Sequence, residues 1–165
     1  MNESVPVWLP PLVLLEDYDG DVERYFSKVK SIFNRDFMEQ RPLFRGKRMG
    51  LKRMPEIEGM SATFWHFVSS GKGEDNRLHD FRRWERIGWP MAIMRVVDSE
   101  WVRTWEEDDP KRGRKVLIAL LDFSYLVVVD DRGDFVLPWT AYPVEEEHSR
   151  RKLHTRFQMA TSQKC

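Results

Sequence analysis

His66 is the side chain of this sequence best suited to proton transfer, and it lies among aromatic residues in the stretch SATFWHFVSSG, residues 61–71. Imidazole takes up and returns a proton near neutral pH, so a histidine can act as a general acid or base. Aromatic neighbours such as Phe64, Trp65 and Phe67 are equally typical of a histidine that fills a core. The stretch alone does not distinguish a proton-transfer histidine from a core histidine. The other residues with which His66 could act must therefore be considered.

A set of cations follows shortly afterwards, in the segment EDNRLHDFRRWERIGWP, residues 74–90. On a helical wheel its apolar residues share one half, and the other half holds four potential cations: His79, Arg82, Arg83 and Arg86. Like charges one helical turn apart repel each other. We therefore expect an anion beside this face, either a protein carboxylate or a phosphate. A solvated helix face is the alternative that the sequence leaves open.

A histidine, a basic face and late hydroxyl groups together fit metal-independent cleavage of RNA. In that reaction a base takes the proton of the ribose 2′-OH, cations stabilise the phosphorane, and an acid protonates the departing 5′ oxygen. Thr140 and Tyr142 supply the hydroxyl groups near the predicted final strand. We expect neither a cofactor nor a metal, because the four histidines are not paired at metal-ligand spacing.

Composition limits the class of protein. The chain has 165 residues, enough for one domain with a real core, and its 27 basic and 27 acidic residues give a net charge of zero. This balance argues against a protein that simply coats polyanions, but it allows a local basic patch. Cys165 is the one cysteine, so we expect no disulfide framework and a cytoplasmic location. The first twenty residues predict neither a signal peptide nor a membrane span, because their short apolar run is broken by prolines.

The first half of the chain contains one clear helix. Residues 12–15 predict a short strand or a docking arm, and apolar residues at helical spacing predict an amphipathic helix over 22–33, capped by Asp19 or Asp21. The basic segment PLFRGKRMGLKRMP, residues 42–55, follows. It is typical either of an edge strand, where charges prevent mispairing, or of an element that contacts phosphates.

The chemistry-bearing residues would lie on the next two elements. Residues 63–69 predict a strand, on which His66 shares a side with Phe64 and Val68. The loop SSGKGEDN separates this strand from a helix that we expect from about Arg77 to Ile87. Gly88 and Pro90 should end that helix.

The last third of the chain predicts an antiparallel meander and a final helix. Strands are expected at 102–106, 114–123, 125–129 and 135–141, with a turn at 108–113, a tight connection at Ser124 and a hairpin turn at DDRGD. A charged helix should run from about residue 145 to 157. We expect one α+β domain, with an arm and covering helix over 1–40 and a core over 41–158. Its helices should pack on a curved antiparallel sheet of about four strands.

Three blocks carry a resemblance to a known group of enzymes: TFWHF with EDNRLHDFRRWERIGWP, the apolar strand at 125–129, and WTAYPVEEEHSRRKL. They resemble phage- and prophage-borne proteins that are similar to the BECR nucleases, the superfamily of barnase, EndoU, the tRNA-cutting colicins and RelE-type toxins. The resemblance spans roughly residues 41–157. It implies one or two helices leading into a curved four-stranded antiparallel sheet. It also implies metal-independent endoribonuclease activity, as a toxin or phage effector.

The same resemblance suggests roles for particular residues. Those nucleases typically set a basic or imidazole group on an early element against Ser, Thr or Tyr on a late strand. Five positions here could fill such roles and are our candidate catalytic residues: His66, Arg86, Arg82, Thr140 and Tyr142. The candidate RNA-binding residues are Arg45, Lys47, Lys52, Arg83 and His79. The expected partners are RNA, including tRNA or ribosome-bound mRNA, and an antitoxin or immunity protein, with no membrane.

Two functions of other classes also fit the sequence. One is a non-catalytic RNA- or protein-binding module of nuclease-like fold, which would bind RNA in a salt-sensitive way without turnover. The other is a phage-borne inhibitor or partner protein that binds through exposed aromatic residues. The second function predicts a surface patch made of Trp8, Trp89, Trp101 and Trp105.

Overall fold

The computed structural model describes residues 5–71 and 78–162, and these residues form an α+β fold. The α+β class predicted from the sequence is confirmed. Most of the predicted loop SSGKGEDN, the predicted helix start at Arg77 and the lone Cys165 lie outside the described residues. Within the described ranges, no helix is both long enough and apolar enough to cross a membrane.

The main sheet has five strands in the order β1-β7-β6-β5-β4. The four long strands form the predicted antiparallel meander: β4 (Val102–Asp109), β5 (Gly113–Leu120), β6 (Tyr125–Asp131) and β7 (Phe135–Pro143). The edge strand β1 (Arg48–Met49) runs parallel to the start of β7. The sheet is therefore mixed, which corrects the prediction of about four strands that are all antiparallel. The basic segment does supply an edge strand.

Helix α1 (Val22–Phe33) has the bounds that the periodicity predicted. Asp21 caps it by accepting a hydrogen bond from the backbone nitrogen of Arg24 at 3.2 Å, which satisfies one of the unpaired N–H groups of the first turn. The chain continues as a π-helical segment, Asn34–Gln40. Residues 11–14 form an irregular arm, docked by a hydrogen bond from the Val13 backbone nitrogen to the Glu85 carbonyl oxygen.

The predicted strand over 63–69 is wrong, because these residues form helix α2 (Ala62–Val68). The Ser61 side chain caps this helix by accepting a hydrogen bond from the Phe64 backbone nitrogen. Six of its seven residues are buried, on all sides of the helix. A short apolar run of this kind has no polar face, so its periodicity cannot distinguish a helix from a strand. Two-residue strands follow, β2 (Ser69–Ser70) and β3 (Leu78–His79), paired antiparallel.

The predicted helix over 77–87 is much shorter than expected. Helix α3 covers Phe81–Glu85, and Asp80 caps it through the backbone nitrogens of Arg82 and Arg83. Arg86 already leaves the helical conformation, with φ −109° and ψ 24°. Pro90 belongs to the next helix and does not end this one. It lies in the first turn of α4 (Trp89–Arg95), where a missing N–H is tolerated.

The sheet separates two cores, because neighbouring strand residues point to opposite faces. On one face Val116, Ile118 and Val127 join the larger core, which also contains residues from α1 to α4. On the other face Leu117 and Leu126 join a smaller core with residues of α5 (Glu147–Ser162). The helix α5 begins two residues later than predicted. This arrangement leaves α2 and α3 packed beside β7, the strand that carries the predicted late hydroxyl groups.

Candidate functional site

His66 lies on α2, with 6% of its surface exposed. Its Nδ1 is 3.2 Å from the carbonyl oxygen of Trp139 on β7. A carbonyl oxygen only accepts hydrogen bonds, so Nδ1 carries the proton and the basic nitrogen of the neutral ring is Nε2. The imidazole also packs edge-on against the Trp139 indole, with 5.2 Å between the ring centroids. His66 is thus a buried histidine whose orientation is fixed by β7.

Arg83 connects His66 to the late hydroxyl groups. Its Nη1 donates to the carbonyl oxygen of His66 at 2.7 Å and lies 3.3 Å from Oγ1 of Thr140. Its Cζ lies 5.2 Å from the centre of the Tyr142 ring. The structure therefore brings His66, Thr140 and Tyr142 together around Arg83, a residue expected to contact RNA rather than to organise this group.

Trp139 is also the centre of a group of charges. The Arg112 Cζ lies 4.1 Å and the Lys52 Nζ 4.8 Å from its ring centre, distances at which the ring attracts cations. Arg112 and Arg132 approach one carboxylate oxygen of Asp130 at 3.7 and 3.4 Å. Asp130 is fully buried, and its Oδ1 has no hydrogen-bond partner among the described residues. Burial therefore raises the pKa of this carboxyl above its ordinary value of 3.8, although the two arginines act in the opposite direction.

Replacing Asp130 with asparagine should change how stability depends on pH. The raised pKa means that the folded state binds this proton more tightly than the unfolded state does. Asp130 thus contributes stability below its ordinary pKa, and this contribution is lost as pH rises through the folded pKa. Asparagine does not titrate. We therefore expect the free energy of unfolding of Asp130→Asn, relative to wild type, to increase from about pH 3 to pH 7 in denaturant titrations.

Asp131, the next residue, provides a control of opposite sign. The hydrogen bonds of its carboxylate to Lys47 Nζ lower its pKa. Its stabilising contribution is therefore present above the ordinary pKa and is lost as pH falls. Asp131→Asn should lose stability relative to wild type as pH rises over the same interval. Equal pH trends for the two variants would contradict the placement of Asp130.

A cleft of about 960 Å³ lies beside α3, beyond the end of β7. Segments far apart in the sequence form its walls: residues 5–8, α3 with α4, the β5–β6 turn, and the start of α5. Three tryptophans and three arginines line it: Trp8, Trp89, Trp101, Arg82, Arg86 and Arg150. The cleft thus combines aromatic rings with guanidinium groups, while Glu145 and Asp122 are acids in the same lining.

The aromatic floor of the cleft is held in place by hydrogen bonds and stacking. The Trp89 indole nitrogen donates to the carbonyl oxygen of Pro10 at 2.9 Å. The Arg86 guanidinium lies over the Trp89 ring at 5.2 Å and donates to the carbonyl oxygen of Arg82 at 3.0 Å. By contrast, Trp101 is 52% exposed and its ring is available at the rim. The cleft therefore has a fixed aromatic floor and an accessible aromatic edge.

Among the three arginines of the cleft, Arg82 has the weakest internal partner. Arg82 pairs with Glu145 at 3.4 Å, but both side chains are more than half exposed. An exposed pair of this kind contributes only about 0–1 kcal/mol. Arg86 pairs with Glu85 at 3.3 Å, and Arg150 donates to the carbonyl oxygen of Val144 at 2.7 Å. A phosphate could therefore replace Glu145 beside Arg82 at small energetic cost.

The predicted site residues fall into separate groups. Arg82 and Arg86 line the cleft, and among the described residues no hydrogen bond or ion pair joins either of them to His66. Of the expected RNA contacts, Arg45 binds both carboxylate oxygens of Asp98 and also pairs with Glu106, and Lys47 pairs with Asp131. Lys52 covers Trp139, and His79 is exposed beside the rings of Phe26, Trp65 and Trp84.

Sequence reasoning missed Arg150 and Asp130, and it grouped the tryptophans differently. Trp105 is 1% exposed and belongs to the smaller core, so the four-tryptophan surface patch does not form. The other three tryptophans of that set line the cleft. Arg150 lies at the start of α5, and no local pattern links it to α3. The sequence did contain one signal for the buried carboxylate: Asp130 directly follows an apolar strand run and precedes the hairpin turn.

Comparison of the chain with protein-family models, with curated proteins and with solved structures finds no match. The resemblance to the BECR nucleases therefore stays a prediction, and the arguments for function come from the geometry of the site.

Proposed function

We propose that this protein binds single-stranded RNA, with an unpaired base and its phosphate in the cleft beside α3. The observation that supports this proposal is the combination of indole rings with three guanidinium groups around one cavity. Unpaired bases stack on aromatic side chains without strict sequence preference, and arginine binds phosphate through paired N–H groups. A BECR-like arrangement of the α+β fold is part of the same proposal.

The test uses two exposed residues, so that folding is not disturbed. Trp101→Ala removes an accessible ring at the rim, and Arg82→Ala removes a guanidinium whose side chain is 62% exposed. Stacking of one base contributes about 1–3 kcal/mol, so Trp101→Ala should bind oligouridylate about fivefold to a hundredfold more weakly. A hydrogen bond to a charged group contributes about 1.5–3 kcal/mol, so Arg82→Ala should lose about tenfold or more. Fluorescence anisotropy of a labelled oligonucleotide measures the affinity.

Arg24→Ala is the matched control for Arg82→Ala. Its side chain is 61% exposed and takes part in one surface ion pair, with Asp19 at 4.0 Å, but it lies on α1. It removes the same charge away from the cleft, so affinity should change little. Equal losses in Arg24→Ala and Arg82→Ala would mean that RNA responds to net charge alone. In that case the cleft would not be the binding site.

Metal-independent cleavage of the bound RNA is the second candidate function. The observation that favours it is the orientation of His66: its Nδ1 faces a backbone carbonyl, so its basic nitrogen is Nε2. Arg83 and Thr140 both contact the backbone carbonyl oxygen of the same residue. The burial of His66 means that RNA must displace part of this group before a ribose hydroxyl can reach the ring. Growth arrest on expression in a bacterial cell would be consistent with a toxin or phage effector of this kind.

A further inference from the structure

A second groove, of about 550 Å³, lies at the start of β7, between β1 and the π-helical segment. Three exposed arginines line it, Arg41, Arg48 and Arg53. Glu56 is the one acid among the described residues of the lining. Within residues 5–71 and 78–162, none of the three guanidinium groups has a hydrogen bond, ion pair or ring contact. The groove is therefore basic, with three unpaired arginines and one carboxylate among its described lining residues.

In contrast to the arginines of the groove, the neighbouring cations on the same segment are paired with carboxylates. Arg45 is neutralised by Asp98 and Glu106, and Lys47 by Asp131. The fold thus pairs these two cations, which do not line the groove, with carboxylates, whereas none of the three lining arginines is paired with Glu56 or with another described residue. Like charges that converge around one cavity repel each other, and a bound anion removes that repulsion. An oligoanion with regularly spaced charges suits three arginines better than a single small ion does.

β7 connects this groove to the cleft. Phe135 lines the groove and Pro143 lines the cleft, so eight residue steps of about 3.3 Å separate them by about 26 Å. Between the two ends, Lys52 and Arg112 cover the Trp139 ring and Arg83 covers the Tyr142 ring. Between the cavities, cations therefore lie at two positions of β7, and one of them, Arg112, is paired with Asp130.

We infer that the basic groove binds the sugar–phosphate backbone of the same RNA strand whose base occupies the cleft, so that the strand runs along β7. The inference rests on the proposed function and extends it to an elongated site. A short oligonucleotide fills the cleft alone. A longer one reaches the groove, where its second contact is intramolecular and increases the affinity through a high effective concentration.

The experiment compares oligouridylates of about 4 and about 12 nucleotides, within the usual range of single-strand site sizes. Affinity is measured by fluorescence anisotropy at several salt concentrations for wild type and for the double variant Arg48→Ala/Arg53→Ala. Both side chains are exposed and unpaired among the described residues, so the variant should fold normally. We expect it to bind the longer oligonucleotide on the order of tenfold more weakly and the shorter one unchanged. The slope of log affinity against log salt should fall by about 1.4 for two lost phosphate contacts.

The control is Arg24→Ala/Lys28→Ala, which removes two exposed charges from α1 and should leave both affinities unchanged. If the groove variant binds the longer RNA as wild type does while Trp101→Ala loses affinity, the inference is wrong and the proposed function stands. If the groove variant loses affinity and Trp101→Ala does not, the groove binds RNA and the cleft does not. If wild type binds neither oligonucleotide, both the inference and the proposed function are wrong. If wild type binds polyglutamate and the groove variant does not, the groove binds an acidic protein segment and not RNA.

Discussion

Replacing Trp84 with alanine should lower the free energy of unfolding by about 3–5 kcal/mol, the usual loss for a large aromatic residue in a core. Trp84 is 1% exposed, and its ring lies against Tyr25 and Phe26 of α1 and Phe81 of α3. Its indole nitrogen also donates to the carbonyl oxygen of Val68 at 2.8 Å. One side chain thus joins α1, α2 and α3. Because a domain of this size has only about 5–15 kcal/mol of stability, denaturant titration should show a large shift of the midpoint.

Two further variants complete the test: Trp84→Phe separates the contribution of packing from that of the hydrogen bond, and Trp101→Ala is a control at an exposed tryptophan. Trp84→Phe keeps most of the ring contacts and removes the donor to Val68, so it should lose about 1–3 kcal/mol. Trp101→Ala removes an indole that is 52% exposed and should change stability by no more than about 0.5 kcal/mol. If Trp84→Ala were no less stable than Trp101→Ala, the packing of α1 on α3 described here would be wrong.

The sequence predicts α1 because this helix has a polar and an apolar face and a capping aspartate, so its periodicity locates it. β5 and β6 are buried on both faces, and they are predicted instead as continuous apolar runs bounded by turn residues. α2 is enclosed on all sides, which removes the periodic signal, and only the Ser61 cap marked it as a helix. The parallel pairing of β1 with β7 joins residues about ninety positions apart, and no local pattern specifies it.

The sequence predicts the candidate site only where residues close together in the chain form it. The helical wheel placed Arg82, Arg83 and Arg86 on one face, but α3 has five residues and Arg86 lies beyond its end. Arg83 turns towards His66 and Thr140, while the other two line the cleft. The cleft itself combines residues from position 5 to position 150, so its tryptophans and arginines could be recognised individually but not as one cavity.

Replacing His66 with asparagine should slow RNA cleavage by about a hundredfold or more, if cleavage follows the metal-independent route, because loss of a general base typically costs that much. The asparagine amide nitrogen occupies about the position of Nδ1, so it can still donate to the carbonyl oxygen of Trp139. The variant keeps the contact with β7 and loses the basic nitrogen. The measurement is release of product ending in a 2′,3′-cyclic phosphate, in the presence of EDTA.

Measuring RNA binding distinguishes a variant that has lost catalysis from one that has lost its structure. His66→Asn should bind oligouridylate in the cleft as wild type does, because His66 does not line that cavity. Arg83→Lys keeps the positive charge but loses the planar group that contacts both the His66 carbonyl oxygen and Thr140, so it should also slow cleavage while it preserves binding. If His66→Asn folds and cuts RNA at the wild-type rate, His66 only positions α2 on β7. If wild type binds RNA without cutting it, the protein is a non-catalytic binding module, and the buried hydrogen bonds of His66 serve the fold alone.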